Sequence, residues 1–281
     1  MLDFQILTDN IVNRPHLLAE HGLSLWIRDD DKQILFDTGQ TSVFLQNALS
    51  LGIPIQNADA IVLSHGHYDH CGGVVSYPFG DSKTKLYIGS NAFETKLSVK
   101  GGAIRNIGIP WGRAFFDRVG DRIVEIKNGD EIFTGIHVLG GIARYNDYEK
   151  VSECFYTERD GQKSRDTMED EQLLVMERKD RLAVFSGCSH KGVINCVEHV
   201  RTKFPGKRIH TLVAGMHLQG VSKERLDATI EYFVNSEIER IIPLHCTGIE
   251  PICELKRALQ DRCLICAVGD RIVIDEGTRW V

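Results

Sequence analysis

The chain lacks an excess of positive charge. Its 281 residues carry 33 Lys+Arg against 39 Asp+Glu, a net charge of −6. Nucleic-acid binders need a basic footprint, so no nucleic-acid partner is expected. No apolar run approaches the roughly 20 residues needed to cross a bilayer, so no membrane span is expected either. The first residues, MLDFQILTDNIVNRPH, bring an early acid and no cleavable signal architecture. A cytoplasmic protein is the expectation, with its eight cysteines as reduced thiols rather than a disulfide framework. Gly-rich phosphate loops of the Gly-Lys-Ser/Thr or Gly-x-Gly-x-x-Gly kind are missing, and with them the usual signal of nucleotide chemistry. A Gly-x-Ser-x-Gly elbow is missing too, which removes the signal of a serine hydrolase. There is no Pro/Ser/Gly linker, no low-complexity segment and no short-period repeat. The sequence does not define an oligomeric state.

What remains is an ordinary globular composition, 42% hydrophobic and 26% charged, long enough to bury a core without metal or disulfides. LSLWI (23–27) and QILFDTG (33–39) read as a hairpin around RDDDK. Residues 41–51 have helical spacing after a Thr/Ser start. ADAIVLS (58–64) reads as a buried strand, and residues 70–77 as a helix start. KLYIG (85–89), RIVEI (122–126) and residues 128–142 return to strands and turns. Residues 157–170 form a polar hairpin tip or loop. QLLVMER and RLAVFSG (172–187) form a second hairpin. Helices are expected at about 191–203 and 222–236, with strands at IHTLVAG (209–215), RIIPL (240–244), LICAV and RIVI. Hairpins come first in each half and β–α alternation follows, so an α/β fold of two packed sheets with helices outside is expected. The reading is a single domain, 1–281, with two similar halves, about 1–142 and 143–281.

The chemistry concentrates in Ser64-His65-Gly66-His67-Tyr68-Asp69-His70. Three imidazoles and a carboxylate within six residues are good zinc or iron ligands. They follow an apolar strand and open a helix, and His65 and His67 can point the same way from an extended loop. Further histidines, His190, His217 and His245, each end an apolar strand, so they can converge on one sheet edge. Cys263-Leu-Ile-Cys266 has no second pair and reads as structure.

The segment resembles the metallo-β-lactamase superfamily, whose signature is His-x-His-x-Asp-His. The Phe36-Asp37-Thr38-Gly39 turn matches as well. Glu20-His21-Gly22-Leu23-Ser24, Gly187-Cys188-Ser189-His190, Gly215-Met216-His217-Leu218 and Pro243-Leu244-His245-Cys246-Thr247-Gly248 are similar to the branch of dihydropterin-ribofuranosyl-aminobenzene-phosphate synthase-like proteins. The resemblance implies a four-layer αββα sandwich of two mixed sheets with helices outside. It implies a dinuclear metal hydrolase, with Zn2+ as one or two ions and with iron or manganese compatible with the same donors. His65, His67 and His190 would hold one ion, and Asp69, His70 and His245 the other. Asp69 would also be catalytic, orienting the attacking water and taking its proton. Cys188 stands where many relatives bridge two metals with Asp. Residues 139–142, Leu139-Gly140-Gly141-Ile142, offer no ligand where relatives place Pro-Gly-His. Cys188 and His217 are therefore candidate metal or substrate contacts, and Asp37 a residue that orients a ligand imidazole.

Asp9, Asn10 and His21 would line the pocket, His21 as a substrate contact. Segment 90–120 carries Lys96, Lys100, Arg105, Arg113 and Arg118 among aromatic residues. It is a candidate lid over a small-molecule substrate, probed best at Arg105 and Arg113, with Trp111 or Phe115 as a stacking surface. A small anionic or phosphorylated substrate follows from the resemblance. Two other readings use the same fold, an iron oxidoreductase and a non-catalytic ligand-binding protein. Flavin-partnered di-iron relatives carry Glu where this chain has His67, and no flavin-binding region follows.

Overall fold

The computed structural model describes residues 1–80, 82–274 and 279–280. Along the chain run β1 (Leu2–Thr8), β2 (Ser24–Asp29), β3 (Lys32–Phe36), α1 (Val43–Ser50), β4 (Ala60–Val62), α2 (Tyr68–Cys71), β5 (Lys85–Gly89), β6 (Thr95–Lys100) and β7 (Ala103–Asn106). Next come α3 (Arg113–Val119), β8 (Ile123–Ile126), β9 (Asp130–Phe133), β10 (Ile136–Leu139), β11 (Phe155–Arg159), β12 (Gln162–Arg165), β13 (Leu173–Arg178) and β14 (Arg181–Ser186). The chain closes with α4 (Val193–Lys203), β15 (Arg208–Gly215), α5 (Lys223–Asn235), β16 (Arg240–Leu244), α6 (Ile249–Leu259), β17 (Arg271–Ile274) and β18 (Arg279–Trp280).

Two mixed sheets stack, one in the order β18-β17-β1-β2-β3-β4-β5-β8 and the other β16-β15-β14-β13-β10-β9. Strand periodicity decides what lies between them. In β13, Leu174 and Met176 join Phe185 of β14 and Phe4 and Phe36 of the first sheet in the central core, while Leu173 and Val175 face the helix layer. The second sheet's outer face packs on α4 and α6, where Val193, Val197, Val200, Leu255 and Leu259 are buried. The first sheet's outer face packs on α1 and α3, through Phe44, Phe115 and Trp111. This is the α/β sandwich with helices outside. No helix among the described residues is long and apolar enough to cross a membrane.

Several expectations need correction. The two sheets interleave along the chain: β9 and β10 lie in the second sheet, and β17 returns to the first. A third sheet, β12-β11-β6-β7, was not expected. Its strands β7 and β12 are exposed throughout, so they carry no apolar alternation to detect. LICAV is not a strand; Cys263 and Val268 make only isolated bridges, to Ile241 and Val12. Segment 90–120 is not one flap. Its first part is the β6–β7 hairpin and its second part is core, with Trp111 7% and Phe115 6% exposed. Trp111 Nε1 donates to the Cys71 carbonyl at 2.8 Å, so neither aromatic offers a stacking face for a ligand.

Candidate metal centre

Parallel strands β3, β4, β14, β15 and β16 end at one edge of the sandwich. The residues that follow them are Asp37, the 64–70 segment, Cys188 to His190, His217 and His245. Such carboxyl-end edges are where α/β sheets gather ligands. Asp37, Ser189, His217 and His245 all have positive φ, between 47° and 56°. Residues other than glycine rarely adopt this conformation, and it costs about 1–3 kcal/mol each. The chain bends there so that side chains turn into the cluster. Gly66 is required by space, because a Cβ would lie 2.5 Å from the Ala92 carbonyl oxygen.

His65, His67 and His190 present ring nitrogens within 4.8 Å of one another. His65 Nε2 and His190 Nε2 are 3.2 Å apart. A proton argument fixes the His65 tautomer. The Asp37 carboxylate accepts from the Ser64 amide and the Ser64 hydroxyl, each at 2.7 Å. Having given its proton to Asp37, the Ser64 oxygen accepts from His65 Nδ1–H at 2.9 Å. His65 Nε2 is left as a bare lone pair. Asp37 also accepts from His70 Nδ1–H at 2.6 Å, which turns His70 Nε2 toward Cys188 and Asp69. Asp37 thus orients two imidazoles. Burial holds His65 and His190 well below the usual histidine range and brings His67 down to about 3. Burial also lowers His70, but the charges of Asp37 and Asp69 prevail and raise it to about 9.

Asp69 Oδ2 lies 3.2 Å from His21 Nε2, 3.4 Å from His245 Nε2 and 4.0 Å from His70 Nε2. Burial opposes its ionisation, yet the His70 charge and the His21 and His245 contacts hold its carboxyl well below the ordinary range. Beside the expected sets, His21, Asp69 and His245 form a triad, and His70 reaches Cys188 Sγ at 3.1 Å. Cys188 belongs to three candidate groups, with His65 and His70, with His190 and His217, and with His245 and Cys246. Burial, and the neighbouring Cys246 thiol, push the Cys188 thiol up.

The residues suit a divalent metal. His67 Nε2, His190 Nδ1 and His217 Nδ1 are buried without a hydrogen-bond partner among the described residues. Orphaned imidazole nitrogens around thiol and carboxylate donors are what zinc or iron would satisfy.

Supports for these residues escaped sequence reasoning. Asp9 and Asn10 do not line the cleft; they hold His245. Asp9 accepts from the His245 amide at 2.7 Å, and the Asn10 side-chain oxygen accepts from His245 Nδ1–H at 2.9 Å. Asp170, Glu171 and Gln172 form a brace between the two sheets. Asp170 accepts from the Gly66 amide at 2.7 Å, between His65 and His67. Glu171 accepts from the amides of His190 at 2.6 Å and Lys191 at 2.9 Å. Gln172 donates to the Leu63 carbonyl at 2.7 Å. Burial pushes the Glu171 carboxyl up to about 7. Apart from Gly161 and Met168, residues 157–170 are polar, so nothing local announces this brace.

The cleft over the cluster has a volume of about 580 Å3, within the range of small-molecule sites. His21, Tyr68, Phe155 and Gln219 border it, with Lys100 and Arg105 from the β6–β7 hairpin. Arg113 does not: it is exposed at the start of α3, away from the cleft. Lys96 is equally unavailable to a ligand. It is buried against Asp166 at 2.9 Å and Asp170 at 2.7 Å.

Comparison with known proteins agrees with this geometry. The family model of the metallo-beta-lactamase superfamily matches residues 18–146. An uncharacterized protein of Methanocaldococcus jannaschii is 33% identical over 258 residues, covering 90% of this chain and 93% of its own. A 7,8-dihydropterin-6-methyl-4-(beta-D-ribofuranosyl)-aminobenzene-5'-phosphate synthase of the same organism is 28% identical over 248 residues, 83% of this chain and 82% of that one. A crystal structure described as a metal-dependent hydrolase of the beta-lactamase superfamily superposes with a TM-score of 0.84 at 29% identity, covering 98% of this chain and 100% of that one. The fold implies divalent metal binding. This chain belongs to the metallo-β-lactamase superfamily.

Proposed function

We propose that the protein is a metal-dependent hydrolase of a small anionic substrate. The observation that carries this reading is the set of buried imidazole nitrogens that converge without protein partners. In this reading His65, His67 and His190 hold one ion. Asp69, His70 and His245 hold a second, with Cys188 between the sets and His217 beside them. Zinc is the metal the donors suit best, and iron or manganese would use the same residues. When bound, the metal supplies Lewis acidity that makes water a nucleophile near neutral pH.

The chain's own groups do the rest. Asp69, kept ionised, orients the attacking water and takes its proton. His21, whose side chain is 56% exposed, connects Asp69 to solvent. Asp37 and Asn10 fix the rotation of His65, His70 and His245, so the ligand set is preorganised. Phe155 walls the cleft beside His67 and His190 and excludes water from that side. Lys100 and Arg105 supply positive charge at the mouth.

The test is elemental analysis of the purified protein, its absorption spectrum, and turnover of phosphodiester and thioester substrates before and after chelation. Bound zinc with turnover that is lost on chelation and regained on adding metal is expected. Iron with a redox-active spectrum and no hydrolysis would favour an oxidoreductase. Bound metal without turnover of any kind would favour a binding protein.

A further inference from the structure

The third sheet carries an arrangement that narrows the substrate. Phe155 of β11 pairs with Ser98 of β6, and Ser98 pairs with Arg105 of β7. One cross-strand row therefore runs Phe155, Ser98, Arg105. In the next row on the same face Lys100 pairs with Ala103. All five residues line the cleft. The row begins at the cluster, since the Phe155 ring lies 5.3 Å from His67 and 5.1 Å from His190 between centroids. Neighbouring strands are about 4.8 Å apart, so the Arg105 backbone stands about 10 Å from that of Phe155 across the sheet. Neither Lys100 nor Arg105 has an ion-pair partner among the described residues. Lys96, on the same strand as Lys100, is neutralised by two aspartates.

We infer that the cleft selects an elongated substrate whose anionic terminus sits about 10 Å from the group that is attacked. Arg105, Ser98 and Lys100 bind that terminus, and Phe155 flanks the spacer. A guanidinium fork, a hydroxyl and an ammonium match a carboxylate or a phosphate ester. The terminal anion and the hydrolysed group are thus different parts of the molecule. A substrate whose only phosphate is the reacting group would leave Arg105 and Lys100 empty. This inference rests on the hydrolase reading and adds the substrate's shape to it.

The experiment uses the metal-loaded full chain and its Lys100→Ala/Arg105→Ala double variant. Three probes are hydrolysed: the p-nitrophenyl monoester of suberate, p-nitrophenyl octanoate as its uncharged counterpart, and the same ester ending in a phosphonate. Suberate and the shorter succinate are also titrated calorimetrically. In the wild-type protein the charged esters should exceed the neutral one in kcat/KM by about tenfold, roughly 1.4 kcal/mol. That ratio should fall toward one in the variant and shrink with added salt. Suberate should bind more tightly than succinate, and only suberate should lose affinity in the variant. The better of the two charged esters identifies carboxylate or phosphate as the preferred terminus. Hydrolysis of all esters with no preference for charge would overturn the inference and leave the hydrolase reading intact. No hydrolysis, with suberate binding still weakened in the variant, would overturn the hydrolase reading and leave the anion site. Equal binding of suberate and succinate would overturn the 10 Å spacing.

Discussion

The cleft has two unlike walls. The inner wall is the histidine cluster, where His65 and His70 are fully buried and His67, His190 and His245 nearly so. Ser64, Asp37 and Asn10 hold the imidazoles of His65, His70 and His245, and the brace of Asp170 and Glu171 holds the backbone at Gly66 and His190. The outer wall is the small sheet, where Lys100, Ala103 and Arg105 are exposed and without ion pairs. The inner wall spends hydrogen bonds on fixing atoms that must not move. The outer wall leaves charged side chains free to meet a solute. On the proposed hydrolase reading, the sandwich sets the reaction type and the hairpins attached to it set the substrate.

The sharpest way to break the comparison is to remove an inner-wall ligand. His65→Ala or His67→Ala should abolish activity and most bound metal, read by elemental analysis, while circular dichroism keeps its folded form because the core does not depend on the ion. Unchanged metal content in both variants would remove these histidines from the ligand set. Next in size is Lys96, which ties the small sheet to the brace. Lys96→Met leaves Asp166 and Asp170 buried without a counter-charge, and should cost about 3–5 kcal/mol in denaturant unfolding. The pH dependence of this pair has a definite sign. Burial lowers the Lys96 pKa, but Asp170 and Asp166 raise it above its ordinary 10.5. Its contribution is complete below 10.5 and is lost as pH rises through the raised folded value. The stability difference between wild type and Lys96→Met should therefore stay level from neutrality to about pH 10 and narrow beyond it.

Smaller effects sharpen the contrast. Glu171→Gln exchanges a carboxylate that accepts two amides for a group that can accept only one well. Metal affinity should drop about 10–100-fold with little change in unfolding midpoint, as measured by chelator competition. Cys188→Ser should weaken one ion and leave the other, and Cys188→Asp should restore it; equal stoichiometry in all three forms would make Cys188 a packing residue. The smallest effect is expected at Arg113. Arg113→Ala should change neither metal content nor affinity for an anion, because its side chain is exposed on α3 and outside the cleft.

The legible part of the fold was the part with local periodicity. The hairpins at 24–36 and 173–186, the helices α1, α4 and α5, and the strands that deliver histidines all have clear apolar patterns. Helix α6 was missed because Pro251 sits in IEPICELKRAL, although proline is tolerated in a first turn. The small sheet was missed because Ala103–Asn106 and Gln162–Arg165 are exposed and polar. Within the site, the histidines and Asp69 could be read from spacing. The approach of His21 to Asp69 and His245, and the support of His190 by Glu171, could not. They join residues that lie 19 to 224 positions apart, and only the fold brings them together.

The seam between those sheets has a consequence in the language of polymers. His65 and His190 stand 125 positions apart in the chain, one arriving from each sheet. An ion shared by them would be a crosslink that closes a long loop, much as a disulfide does, but one that can be undone by a chelator. Closing a long loop removes much of the freedom of the unfolded chain. Ions bind the folded protein and not the open loop, so loading stabilises by about 2.7 kcal/mol at a hundredfold excess over Kd. Chelation would then do more than empty a pocket. It would unfasten the edge where the two sheets meet, and amides at the ends of β4 and β14 would be the first to exchange with solvent.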